Sequence, residues 1–139
     1  MIQKMNGGLI VTVFFLCFLG VSIPAGAAEF DGSTPLFCAF NKAIECQPAG
    51  LCELVFPEEV GLPTLIKIDF KNKLVTAAQE GKDRTTEIKS FYRADGHLIL
   101  QGYEARSWSL IIGERTGRMS LAVAGEDDGF VLFGTCMAP

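Results

Sequence analysis

From Thr64 to the C-terminus, apolar and polar residues alternate in short runs broken by turn residues, the pattern of antiparallel hairpins. Thr64 to Phe70 places Ile66, Ile68 and Phe70 on one face and Lys67 and Asp69 on the other, which predicts a half-buried strand. Leu74 to Ala78 runs back after the Lys71-Asn72-Lys73 turn, and residues 79–83 form a polar loop. Thr85 to Arg93 alternates Ile88, Ser90 and Tyr92 against Glu87, Lys89 and Arg93. The Asp95-Gly96 pair that follows is the strongest short hairpin signal in the chain, with His97 to Tyr103 as the partner strand. Arg106 to Gly113 turns Trp108, Leu110 and Ile112 to one side, and after Thr116-Gly117 the residues Met119, Leu121 and Val123 do the same. An acidic turn at Glu126-Asp127-Asp128-Gly129 leads into Phe130 to Cys136. These seven runs, with one or two more upstream, predict an all-β antiparallel meander of about 7 to 9 short strands, closed or partly open as a small β-barrel.

Upstream the pattern is less decisive. In Leu36 to Cys46, Phe37, Phe40 and Ile44 have helical spacing, whereas Leu36, Cys38, Phe40, Ile44 and Cys46 fit one strand face interrupted near Lys42. The two cysteines favour the strand. Pro57-Glu58-Glu59 suits the first turn of a short helix, which Gly61-Leu62-Pro63 would end.

The N-terminus has a different pattern. Lys4 precedes an apolar run from Leu9 to Val21, shorter than the roughly 20 residues a membrane span needs. Pro24 and the small residues Ala25-Gly26-Ala27-Ala28 follow, as in a secretory signal cut after Ala27 or Ala28. The expected organisation is a signal peptide over residues 1–27 and a single β domain over residues 28–139, exported to the periplasm or secreted, with no membrane span once the signal is gone.

Export fixes the reading of the cysteines. Cys17 leaves with the signal, and Cys38, Cys46, Cys52 and Cys136 remain, an even set that in an oxidising compartment reads as disulfides. A zinc site would use four thiols too, but no Cys-x-x-Cys pair is present. Cys46 and Cys52 flank Gln47-Pro48-Ala49-Gly50, whose Pro and Gly suit a type I turn that brings the two together. Cys38 is left to join Cys136, tying the start of the domain to its last strand.

Charge and motifs narrow the function classes. Without Lys4 the chain has 11 basic and 16 acidic residues, and its basic pairs, Lys71 with Lys73 and Lys82 with Arg84, sit beside turns. Nucleic acid is therefore excluded as a partner, since phosphate binding needs a basic patch. His97 is the only histidine and follows a hairpin turn, so a Ser-His-Asp or Cys-His arrangement would have to centre on it. Glu104 and Glu114 flank the Trp108 run and are the candidate pair for glycoside hydrolysis. Glu126-Asp127-Asp128 is the candidate calcium cluster, although it departs from the EF-hand pattern. For all three the ordinary reading as solvated turn residues is the better one, and no catalytic, metal or cofactor site is expected. No haem motif or phosphate-binding glycine loop is present either.

The aromatics point to binding. Phe130-Val131-Leu132-Phe133 is apolar on both faces and needs cover on both sides, from the N-terminal segment first, otherwise from a ligand or a partner.

Leu98-Ile99-Leu100-Gln101-Gly102-Tyr103-Glu104, Arg106-Ser107-Trp108-Ser109-Leu110, Thr116-Gly117 and Gly129-Phe130-Val131-Leu132-Phe133-Gly134-Thr135-Cys136, with Cys38, resemble a group of small exported proteins of Gram-negative bacteria. The resemblance implies a bacterial, periplasmic address and brings no activity with it. In outline the domain is also similar to the periplasmic lysozyme inhibitors, but their Ser-Gly-x-x-Tyr loop has no match in this chain. The expectation is a monomeric, non-catalytic binding module for an unknown protein or small apolar ligand, with a hydrolase inhibitor as its sharper form. A small hydrolase using carboxylates or His97 and a structural envelope protein are the alternatives.

Overall fold

In the computed structural model, residues 30–77 and 84–139 are described, and residues 1–29 and 78–83, where a signal peptide and a polar loop are expected from the sequence, lie outside them. Nine antiparallel strands follow in chain order: β1 Leu36–Cys46, β2 Cys52–Val55, β3 Leu65–Asp69, β4 Leu74–Ala77, β5 Arg84–Ala94, β6 His97–Tyr103, β7 Ser107–Gly113, β8 Arg118–Ala124 and β9 Gly129–Met137. Each of β3 to β8 pairs with the next strand along the chain, and β1 pairs with both β3 and β9, so β1 and β3 to β9 close an eight-stranded barrel. Closure gives each of these eight strands a neighbour on both sides, where an open sheet would present unpaired backbone, and leaves only the short β2, paired with β1 alone, at an edge.

The ambiguous segment is a strand, and its geometry explains the mixed pattern. Register on β9 shifts between Phe40 and Lys42, a bulge that moves the inward face from Leu36, Cys38 and Phe40 to Ala43. A second bulge, between Ile88 and Ser90, corrects the simple alternation expected along β5. Ile88 lies opposite Gly102 on the inner face, but Ser90 and Tyr92 pair with Gln101 and Ile99 on the outer face. One extra residue inverts the phase of everything after it.

Beyond the bulge, β1 exchanges β3 for β2 as its neighbour, so the β1–β2 hairpin prolongs one wall. A 3₁₀ turn, Pro57–Val60, follows β2. The Phe56 backbone N–H donates to the Glu59 carboxylate (3.0 Å), and Gly61 ends the turn in the left-handed conformation (φ 69°). At the Asp95-Gly96 hairpin both residues have positive φ, 49° and 74°, as a type I′ turn requires.

Both bridges form as expected, Cys38–Cys136 across β1 and β9 and Cys46–Cys52 across the β1–β2 hairpin. Such bridges belong to an oxidising compartment. The core is the barrel interior, with Leu36, Ile68, Leu98, Leu100, Leu110, Ile112 and Leu132 fully buried. Eight strands leave an interior that side chains alone can fill. No described helix is long and apolar enough to cross a membrane.

Candidate functional site

The two ends of the barrel are finished differently. At the end where β1 begins, the chain before it folds across the opening and buries Phe30. Gly117, in the left-handed region (φ 63°), makes room: a Cβ there would lie 2.6 Å from the Phe30 ring and 2.7 Å from the Cys136 carbonyl oxygen. The residues preceding β1 therefore seal an end. They do not cover the outer face of β9, where Val131 and Phe133 are exposed.

At the other end, where β1 finishes and β9 begins, the interior stays open as a cavity of about 100 Å³. Ile66, Val75 and Ala77 line one side, Trp108, Leu110, Leu121 and Val123 the other, and Leu62 and Pro63 reach in from the segment after the 3₁₀ turn. Trp108 lies opposite Gly102 in the β6–β7 register, and a Cβ on Gly102 would come within 2.1 Å of the indole. Glycine in the middle of a strand thus lets the ring lie across its neighbour. The indole N–H donates to the Thr86 hydroxyl (3.4 Å), which leaves the ring's apolar body to line the cavity.

Two ion pairs frame the opening. Arg84 Nε donates to the Glu104 carboxylate (2.8 Å). Arg106 Nε donates to Asp128 (2.7 Å), and the guanidinium lies 5.2 Å from the centre of the Phe130 ring. The bond from Arg106 holds the Asp128 carboxyl below its ordinary value and raises the guanidinium in turn. The charges at the rim are neutralised locally, so the cavity itself is an apolar recess.

The residues weighed for catalysis do not assemble here. His97 is exposed at the first position of β6, at the sealed end. Glu104 and Glu114 follow β6 and β7 at opposite ends of the barrel, roughly 20 Å or more apart along a seven-residue strand. Each is bound to an arginine, Glu104 to Arg84 and Glu114 to Arg93. Glycosidase carboxylates lie within about 10 Å of each other. Of the acidic turn, Asp128 is committed to Arg106, and among the described residues no three His, Cys, Asp or Glu side chains converge on a point. The recess residues Leu62, Thr86, Arg84 and Arg106 carry no motif. The mid-strand Gly102 beside a lone Trp108 was the signal that marks the place. Comparison with family models, with curated proteins and with solved structures finds no match.

Proposed function

We propose that this is a non-catalytic periplasmic or secreted binding module that holds one apolar side chain of a protein partner in the barrel mouth. The observation that carries the reading is the size and lining of the recess. At about 100 Å³ it is smaller than pockets for drug-sized ligands, which start at about 300 Å³, and than a benzene-sized cavity of about 150 Å³. It matches a leucine or valine side chain. Interfaces concentrate their energy in such anchors, set in desolvated pockets and ringed by polar groups that exclude water. Arg84, Glu104, Arg106 and Asp128 form that ring.

N-acetyl amino-acid amides titrated into the ¹⁵N-labelled protein test the reading. The leucine amide should shift the Trp108 indole and Ala77 resonances, with a dissociation constant of about 5 to 35 mM for about 2 to 3 kcal/mol of burial. The glutamate and lysine amides should leave them in place. Shifts that are equal for all amides, or lie away from the mouth, would sink the reading. A carrier of a small apolar molecule is the second reading, favoured by the same apolar lining. Native mass spectrometry of protein purified from its own compartment separates the two: a retained molecule supports the carrier, a bare chain the protein-docking module.

A further inference from the structure

The outer surface of the barrel divides into two walls of different chemistry. On β3 to β5 the outward positions carry both signs, with Lys67, Asp69 and Glu87 among them and Lys89 bound to Glu87. On β6 to β9 and β1 the cross-strand registers give a different surface. One row runs Ile44–Val131–Ala122–Ser109–Gln101, the next Lys42–Phe133–Ser120–Ile111–Ile99, and a third Ala39–Thr135–Arg118. The chain has 16 acidic residues, and none occupies an outward position on these five strands. Phe133 is 46% exposed and Ile111 40%, and the hairpin carries the apolar surface further through Leu54, which pairs with Ile44 and is 67% exposed.

We infer that this acid-free wall docks a protein whose apolar contact surface is ringed by carboxylates. Monomeric proteins rarely leave contiguous apolar patches, and an exposed Phe beside aliphatic rows has the composition of an interface core. The only charges among the rows are the cations Lys42 and Arg118, which set the complement. A second copy docked by the same wall would bring cation toward cation with no acid to offset it. An anionic membrane fits poorly, because two cations fall short of the four to eight of a lipid-binding cluster and the chain's net charge of −4 is repelled. The wall is separate from the mouth, and the inference does not depend on it.

The test is photo-crosslinking in the cells that make the protein, with p-benzoylphenylalanine replacing Phe133, and replacing Thr76 on the opposite wall as control. The expected result is a protein adduct from position 133 and not from 76. That partner, once purified, should bind the full chain more weakly in high salt. Phe133→Ser should weaken it about tenfold or more and Lys42→Glu several-fold, while Ala77→Leu, which plugs the mouth, should leave it unchanged. An adduct to a second copy of the chain, binding to phosphatidylglycerol vesicles lost in Phe133→Ser, or no adduct above the control would each overturn the inference. So would a partner that survives Phe133→Ser but is lost in Ala77→Leu, an outcome that would leave the mouth reading intact.

Discussion

One end of this barrel is sealed and the other is left open, and the two ends use the same kinds of residue to opposite effect. At the sealed end an aromatic ring, Phe30, fits against a left-handed glycine, Gly117, and a bridge between Cys38 and Cys136 ties first strand to last. At the open end another aromatic, Trp108, lies across a glycine, Gly102, but nothing fills the space beside it, and the bridge from Cys46 to Cys52 spans only a hairpin. A barrel of this size has enough side-chain volume to fill itself. The empty mouth is therefore a local choice of residues such as Ala77, Ala105 and Thr86, which leaves a packed plug at one end and an apolar recess at the other.

The disulfides give the largest test of that contrast. Replacing Cys38 and Cys136 by Ser frees a separation of 98 residues and should lower stability by about 4 to 5 kcal/mol in the chain-entropy model, against about 2 kcal/mol for Cys46 and Cys52, which are 6 apart. Urea unfolding of the two double variants measures both. Equal losses would break the contrast. Phe30→Ala should come next, at about 3 kcal/mol, because it empties a buried site held by backbone on one side. Ala77→Leu at the mouth should instead change stability by less than about 1 kcal/mol in either direction, since it fills space that is already apolar. A loss of several kcal/mol there would mean the recess is not empty.

The smallest effect is electrostatic. Asp128 is held below its ordinary value by Arg106, Asp31 by the Ser33 side chain and backbone, and Asp69 by the Asn72 backbone and side chain. A depressed folded-state value contributes stability above the unfolded carboxylate value near 3.8, and that contribution is lost as pH falls through the folded value. Thermal midpoints should therefore hold from pH 7 to about 5 and fall below about 4, with a shallower fall in Arg106→Gln. All three groups are at the surface, so the difference is small. A variant curve parallel to wild type would remove the Arg106–Asp128 pair from the account.

Much of the architecture could be read before any coordinates. All seven strands after Thr64 follow from alternation and turn residues, and the Cys46–Cys52 turn fixed both bridges because only two partners remained. What escaped the sequence were the features that break its period. The bulges at Asn41 and Lys89 each add one residue and invert the faces that follow, so Ser90 and Tyr92 point outward where simple alternation sets them beside Ile88. The recess was hidden for another reason. It is defined by missing volume shared among five strands and two loops, and an absent side chain has no pattern of its own. The acid-free wall was likewise invisible until register aligned positions far apart in the chain, such as Ile44 with Val131 and Ile111 with Ser120.

Trp108 is the only tryptophan in the chain and it lines the mouth, so its emission reports directly on whether the mouth takes an apolar group. Titrating N-acetyl-leucine amide into the wild-type protein and into Ala77→Leu is the decisive measurement. The account predicts a saturable blue shift and reduced acrylamide quenching in the wild type, and neither in the plugged variant. Identical responses in the two proteins, or none in either, would contradict it.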